Sequence, residues 1–324
     1  MPQIEVHPQV TEALESGQPV VGLESALITV GLPSTALGRP PRCNPPGWDA
    51  ASPTNLEAGR LLERAVRDAG ALPATVAVLD GVLRIGLTDA QLVKLAEVSR
   101  RKASTGDLAR CLACGETAGT TVAATMLACQ LPEAGPVRVL ATGGIGGVHR
   151  NWLRRPDIST DLSQLAVTPV CVVSCGVKSI LDVPTTLQAL EMLGVPVIAY
   201  GTDRLPQFYS RPCDQLRAPG RLDDPTAIAR LCRSHWETLG CRSGVVVANP
   251  VPERYELENS LVDAIVTAAE AEAAAGQISA GEMTPYLLKV VNQRTGGRAL
   301  ESNIALLQSN ARLAAKIASA LAVR

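Results

Sequence analysis

The amino-acid sequence predicts an α/β protein of three layers, in which helices cover both faces of a largely parallel or mixed central sheet. Short apolar runs rich in Val and Ile alternate with segments of helical periodicity. These runs are continuous rather than alternately polar, which is typical of strands that are buried on both faces. Hydrophobic residues make up 46% of the 324 residues and charged residues 19%, so the chain can bury a large core.

The apolar runs predict strands at residues 19–23, 75–79, 137–141, 170–174, 195–200 and 243–248. Helical periodicity predicts helices at 55–69, 120–131, 184–193, 225–239, 257–275 and 302–322. In the first of these helices, Asn55 can cap the start and Gly70 can end it. Its apolar stripe consists of Leu56, Leu61, Leu62, Ala65 and Val66.

The chain shows no internal repeat, and its Gly and Pro residues are spread evenly, so we predict a single domain over residues 1–324. Residues 34–52 are the exception, because Gly and Pro crowd together there without a periodic pattern. We therefore predict a Pro/Gly-rich loop insertion at 34–52.

Charge and composition exclude several classes of partner. The net charge is -1 with a pI near 6.3, so the chain lacks the basic field that would hold a nucleic acid or a membrane surface. The start of the sequence has no signal-peptide pattern, and no long uncharged apolar stretch follows, so we expect a cytoplasmic protein. The nine cysteines suit reduced thiols, and Cys111 and Cys114 form a CxxC without a second pair at zinc spacing.

Residues that follow the predicted strands are candidates for chemistry, because α/β sheets place ligands at the carboxyl ends of their strands. The run 142–150 is rich in glycine, and its backbone amides could form an anion-binding nest. A tight turn without function explains the run equally well. The run is not a dinucleotide fingerprint, because His149 stands where the last glycine would be.

Two strands are followed by a residue that could take part in catalysis. Glu24 follows the strand at 19–23, and burial there could make it a general acid, although a helix cap or an ion pair also explains it. Lys178 follows the strand at 170–174, and burial favours the neutral amine that a Schiff-base nucleophile requires. A lysine that extends to solvent is the alternative.

Residues 156–162 offer two aspartates and two hydroxyls in a loop. Oxygen ligands of this kind suit Mg²⁺ or Mn²⁺ better than zinc. Alternatively, Asp157 or Ser159 caps a helix that follows.

These segments, in this order, resemble the pseudouridine-5'-phosphate glycosidase family. The matching stretches are residues 20–25, 119–126, 141–150, 157–162, 176–182, 245–253, 284–288 and 302–304, which run almost end to end. The resemblance implies an α/β/α fold, a homotrimer and Mn²⁺ as cofactor. It further implies the following roles: Glu24 as proton donor, Lys178 as covalent nucleophile, Asp157 as metal ligand, and Val122, Ser159, Thr160 and Asp161 as substrate contacts.

The family's phosphate-binding lysine has two possible positions in this sequence. Counting back without gaps from Thr120 leads to Lys102, which we choose, whereas matching residues 98–101 to the family pattern would place Glu97 there. The choice of Lys102 replaces the family's double arginine by Thr105-Gly106. A second departure follows the first strand, where Val30 stands in a turn that usually carries a histidine in the family.

The resemblance implies reversible cleavage of the carbon-carbon bond of pseudouridine 5'-phosphate to uracil and ribose 5-phosphate, through a lysine imine with ring-opened ribose. One alternative is a related sugar-phosphate enzyme of indigoidine biosynthesis. Another is a sugar-phosphate-binding homologue that is catalytically impaired. Retention of Glu24, Asp157 and Lys178 together argues against the last, whereas Val30 and Thr105-Gly106 leave it open.

Overall fold

The structure is a computed structural model that describes residues 3–98, 101–150, 152–153, 156–210, 216–276, 278 and 280–323. The strands are β1 (Ile4–Val6), β2 (Val20–Leu23), β3 (Leu72–Leu79), β4 (Val82–Ile85), β5 (Lys102–Ala103), β6 (Ala118–Thr120), β7 (Val139–Ala141), β8 (Cys171–Ser174), β9 (Val197–Tyr200), β10 (Gly220–Leu222) and β11 (Val245–Ala248). The helices are α1 (Pro8–Glu15), α2 (Thr54–Asp68), α3 (Asp89–Val98), α4 (Thr105–Ala113), α5 (Val122–Ala128), α6 (Thr160–Leu165), α7 (Val183–Met192), α8 (Pro225–Arg233), α9 (Asn259–Ala275), α10 (Ala280–Arg294) and α11 (Arg298–Ala322).

The strands form one 11-stranded sheet with the main order β1-β4-β3-β2-β7-β8-β11-β9-β10. The strand β6 pairs with β3, and β5 pairs with β6 at the side of this path. Most pairs are parallel, whereas β3 is antiparallel to both β4 and β6. The predicted α/β class with a largely parallel or mixed sheet is therefore confirmed.

Helices cover both faces of the sheet, as the sequence predicts. Side chains of a strand point alternately to its two faces. In β2, Val21 and Leu23 lie in the same apolar cluster as α2 and α11. A Cβ on Gly22 would instead lie 2.8 Å from Sγ of Cys129, just after α5. The helices α5 and α11 therefore pack on opposite faces of β2.

Each predicted strand corresponds to an observed one, with ends that differ by up to three residues. The strands β1, β4, β5, β6 and β10 were not predicted, because they are short or partly exposed. The predicted helices are also present, and 225–239 continues from α8 into a short π-helical turn. One detail was wrong: Pro53 is the N-cap residue of α2, and the Nδ2 of buried Asn55 instead donates to the carbonyl of Ile28 at 2.7 Å.

Residues 34–52 form neither helix nor strand, as expected for a loop. The loop is tied to the start of α11, because the guanidinium of Arg39 pairs with Glu301 at 2.9 Å. The backbone N–H of Arg42 also donates to Glu301 at 2.6 Å. Whether the loop is an insertion, and whether the chain is one domain, stay predictions.

The described cysteines are free thiols, and most are buried. Cys111 is buried in α4, whereas Cys114 is exposed at its C-cap. Within the described residues, no helix is both long and apolar enough to cross a lipid bilayer.

Candidate active site

The strands β2, β7 and β8 are neighbours in the sheet, so the segments after their carboxyl ends meet at one edge. A cavity of about 300 Å³ lies there. All predicted site residues line it: Glu24, Lys102, Val122, Asp157, Ser159, Thr160, Asp161 and Lys178. The fold therefore brings together residues that lie far apart in the sequence.

Glu24 directly follows β2 and is only 7% exposed. Burial raises the pKa of its carboxyl group, and the neighbouring Lys178 ammonium only partly counteracts this effect. The hydroxyl of Thr142, which follows β7, donates a hydrogen bond to Oε1 of Glu24. A carboxyl group with a raised pKa retains its proton closer to neutral pH, as a general acid must.

Lys178 lies partly buried after β8, in a segment that packs against the glycine run. Its backbone N–H donates to the carbonyl of Ile145 at 3.2 Å. A Cβ on Gly144 would lie 3.2 Å from Cγ of Lys178 and 2.7 Å from the ring of Phe208. Glycine at this position therefore leaves the space that the lysine side chain occupies.

Lys102 enters the cavity from β5. Burial lowers the pKa of its ammonium group, and the positive charge of Lys178 lowers it further. The alternative Glu97 is exposed near the end of α3 and does not line the cavity, while Ser99 and Arg100 of that register lie outside the described residues. Thr105-Gly106, which replaces the family's double arginine, forms the first turn of α4. The first backbone N–H groups of a helix have no acceptor within the helix.

The glycine run is held in place by the buried carboxylate of Asp161. Its two oxygens accept hydrogen bonds from the N–H of Ala123 at 2.9 Å and of Gly146 at 2.8 Å. The N–H of Ile145 donates to the carbonyl of Gly176 at 3.1 Å. Five backbone N–H groups of the fully described run 142–150 are bonded within the protein, those of Thr142, Ile145, Gly146, Val148 and His149, so the expected anion nest holds at most for part of the run.

Ser159 and Thr160 begin α6 beside this loop. The Oγ of Ser159 accepts from the N–H of Asp161 at 3.2 Å, so Ser159 is the helix cap that the sequence left open. A Cβ on Gly146 would lie 2.2 Å from this same Oγ, which explains the glycine. The hydroxyl of Thr160 lies 2.5 Å from that of Ser104, so the two form a polar edge of the cavity.

His149 was not singled out from the sequence, yet it lines the cavity beside Asp157. Its Nε2 lies 3.7 Å from Oδ2 of Asp157 and 3.4 Å from the hydroxyl of Thr284. Burial lowers the pKa of the imidazole, and the carboxylate of Asp157 opposes this effect. The sequence feature that could have revealed His149 is its position at the end of the glycine run, because a side chain there can face a ligand at the edge of the sheet.

A sequence model of the family described as "indigoidine synthase A like protein" matches residues 49–320. The chain belongs to the indigoidine synthase A-like family. It is 47% identical over 324 residues to a pseudouridine-5'-phosphate glycosidase of Paracoccus denitrificans, with 99% of each chain covered. It is 43% identical over 321 residues to one of Mesorhizobium japonicum, with 99% of this chain and 98% of the relative covered.

Two solved structures share the fold of this indigoidine synthase A-like protein. The prealnumycin C-glycosynthase AlnA, in complex with ribulose 5-phosphate, has a TM-score of 0.84 at 36% identity, covering 98% of this chain and 97% of AlnA. An indigoidine synthase A-like protein of Thermotoga maritima has a TM-score of 0.83 at 30% identity, covering 99% of this chain and 97% of the other.

A divalent metal would find few protein ligands in this member of the indigoidine synthase A-like family. In the part of the chain that the structure describes, no three His, Cys, Asp or Glu side chains converge as a metal-binding group. In the cavity, two side chains that can bind a metal lie close together, with 3.7 Å between Oδ2 of Asp157 and Nε2 of His149. One carboxylate in an open cavity fits a hard cation such as Mg²⁺ or Mn²⁺, which keeps several of its waters, but not a zinc site.

Val30 lies in the π-helical turn Leu27–Gly31 and lines the cavity. It stands where the family resemblance expects a histidine. This part of the cavity wall is therefore apolar. Of the three histidines in the chain, His149 is the one that lines the cavity.

Proposed function

We propose that this protein reversibly cleaves the carbon-carbon glycosidic bond of pseudouridine 5'-phosphate to give uracil and ribose 5-phosphate. The observation that carries the proposal is the convergence of a buried carboxyl group, Glu24, with Lys178 and Lys102 in one cavity. Two relatives that match almost the whole chain are named for this substrate. AlnA is a C-glycosynthase whose structure holds ribulose 5-phosphate, a related sugar phosphate.

The bond joins two carbons, so protonating a heteroatom leaving group, as common glycosidases do, cannot release the base. Cleavage instead requires the uracil ring, protonated at C5, to accept the bonding electrons while an amine nitrogen at C1' of the ring-opened sugar stabilises that carbon as an imine.

Glu24 protonates the ring oxygen O4' as the C1'–O4' bond breaks, and the electron-rich uracil ring forms a C1'=C5 bond that stabilises the opened carbon. The amine of Lys178 then adds at C1', which returns this electron pair to the uracil ring, and the adduct passes its extra proton back to Glu24. Glu24 then protonates C5 of uracil. As the C1'–C5 bond breaks, its electrons return to the uracil ring, while the nitrogen lone pair forms the C1'=N bond.

Water then adds to the imine, which releases ribose 5-phosphate and restores the amine of Lys178. The sum is one substrate and one water converted to uracil and ribose 5-phosphate. Because every step is reversible, the same groups can also make the bond from the two products.

Lys102 is proposed to hold the phosphate. It enters the cavity from a different strand than Lys178, so it can contact a group remote from C1'. Binding energy from such a remote charged group positions the reacting carbon next to the nucleophile.

By the resemblance, we also propose Mn²⁺ as cofactor, held by Asp157, beside which His149 can serve as a second ligand. When bound, the ion would polarise an oxygen of the uracil or the sugar as a Lewis acid. The same resemblance supports a homotrimer in the cytoplasm. Light scattering coupled to size-exclusion chromatography tests the trimer directly.

Incubation of the protein with uracil, ribose 5-phosphate and Mn²⁺ tests the proposed reaction. The expected product is pseudouridine 5'-phosphate, identified by chromatography and mass. Turnover of a different sugar phosphate alone would favour the enzyme of indigoidine biosynthesis. Binding of ribose 5-phosphate without any turnover would favour the impaired homologue, which the apolar Val30 at the cavity wall supports.

A further inference from the structure

A second polar cavity, which we call the basic groove, lies at the carboxyl ends of β9 and β11 beside α11. Its volume is about 290 Å³. Its lining includes Cys43, Asn249, Arg254, Ser309, Arg312 and Lys316. Carboxyl ends of parallel strands are the usual ligand-binding edge of such a sheet.

The charge of the basic groove is one-sided. Arg254, Arg312 and Lys316 line it, and no Asp or Glu is among its lining residues. Arg312 and Lys316 are one helical turn apart on α11, so they face the same side. Within the described ranges, neither forms a salt bridge, whereas Arg39 and Arg221 elsewhere on the surface both pair with carboxylates.

The carboxylate of Glu301 lies close to Cys43 and Tyr255 of the groove wall, but it is bound by groups of the Pro/Gly-rich loop. Its Oε1 pairs with Arg39 at 2.9 Å, and its Oε2 accepts from the backbone N–H of Arg42 at 2.6 Å. The Pro/Gly-rich loop therefore occupies this carboxylate and also contributes Cys43 to the groove wall. Arg254 is kept in place by stacking over Tyr255, with 4.7 Å between its guanidinium carbon and the ring centroid.

The floor of the basic groove connects to the proposed catalytic acid through buried hydrogen bonds. Nδ2 of Asn249 donates to Oδ1 of Asn310 at 2.9 Å and to the hydroxyl of Ser309 at 3.0 Å. Nδ2 of Asn310 donates to the carbonyl of Thr142 at 2.9 Å. The hydroxyl of Thr142 in turn donates to Glu24. This chain of contacts links the two cavities through the protein interior.

We infer that the basic groove binds a small molecule that carries a diphosphate group, and that its occupant slows turnover through this chain. A diphosphate presents several anionic oxygens close together, and arginine binds such oxygens with two parallel hydrogen bonds. An anion above Asn249 attracts its Nδ2 hydrogens and thereby weakens the hydrogen bond from Asn249 to Asn310. Asn310 then binds the carbonyl of Thr142 less firmly, and the hydrogen bond from the hydroxyl of Thr142 to Glu24 is weakened in turn. The slowing of turnover rests on the proposed function, whereas the binding itself does not.

Calorimetry with inorganic pyrophosphate tests the binding, without any need for activity. Two classes of site are expected in the wild type, one in the basic groove and one at Lys102. The double variant Arg312→Ala/Lys316→Ala should lose the first and keep the second, and Lys102→Ala should do the reverse. The matched control Arg230→Ala changes an exposed arginine of α8 outside the groove and should keep both. A single class of site that Lys102→Ala removes would overturn the inference.

Steady-state kinetics with saturating Mn²⁺ tests the coupling. Pyrophosphate should raise the apparent KM of the wild type by competing at Lys102 and should also lower kcat about fivefold or more, in the range of typical couplings between sites. The double variant should keep the effect on KM and lose the effect on kcat. Inhibition that is purely competitive with substrate, a decrease in kcat that is equal in the double variant through metal chelation, or an unchanged kcat despite binding would refute the coupling.

Discussion

The hydrogen bond from Thr142 to Glu24 is expected to determine the pH range in which the proposed acid works. Both side chains are buried, and the hydroxyl of Thr142 donates to Oε1 of Glu24. Thr142→Val keeps the shape of the side chain but removes the donor. A hydrogen bond to a charged group contributes about 1.5–3 kcal/mol, so the ionised form of Glu24 should lose roughly a factor of 10 to 100 relative to the protonated form.

The direction of the pH effect follows from the role of Glu24 in cleavage. Burial raises the pKa of its carboxyl group, whereas Lys178 and the bond from Thr142 lower it. Cleavage needs protonated Glu24 to donate to C5, so activity falls as pH rises through this pKa. Loss of the Thr142 donor raises the pKa further, and the alkaline limb of the profile should therefore move to higher pH.

The assay is the pH dependence of kcat/KM for uracil release from pseudouridine 5'-phosphate. Thr142→Ser keeps a hydroxyl and is the matched control, which should retain the wild-type limb. Thermal unfolding of both variants checks that the fold is intact. An alkaline limb of Thr142→Val that stays in place or moves to lower pH would refute this role of the hydrogen bond.

Three further predictions concern the other site residues. Borohydride added during turnover should trap a sugar phosphate on Lys178, located by peptide mapping, and Lys178→Arg should be inactive and give no adduct; a wild-type adduct on Lys102 would contradict the assignment. Lys102→Ala should weaken binding of the phosphorylated substrate by about 1.5–3 kcal/mol, or roughly one to two decades in affinity, while Glu97→Ala should leave it unchanged. The reverse outcome for these two variants would favour the other register. Chelation should abolish turnover, and Asp157→Ala should need far more Mn²⁺ to regain it; full activity of metal-free Asp157→Ala would remove the metal from the mechanism.

The sequence alone was sufficient to predict the central strands, because a strand buried on both faces must be apolar throughout. The same pattern drew attention to Glu24, which directly follows β2, and to Lys178, which lies four residues after the end of β8, since both lie near the carboxyl edge of the sheet. The family resemblance supplied the roles of these residues. The short strands β5 and β10 lacked a continuous apolar run, and the sequence therefore did not reveal them.

The partners of these side chains were decided only by the tertiary structure. Thr142 and Glu24 are 118 positions apart, and Asp161 bonds to two segments that precede it, Ala123 at 38 positions and Gly146 of the glycine run at 15 positions. The sequence also could not show that Asn310 of α11 bonds to Thr142, 168 positions before it. Residue type and local periodicity determine which face of an element is apolar, but a hydrogen bond between distant segments depends on how the sheet and its helices pack together.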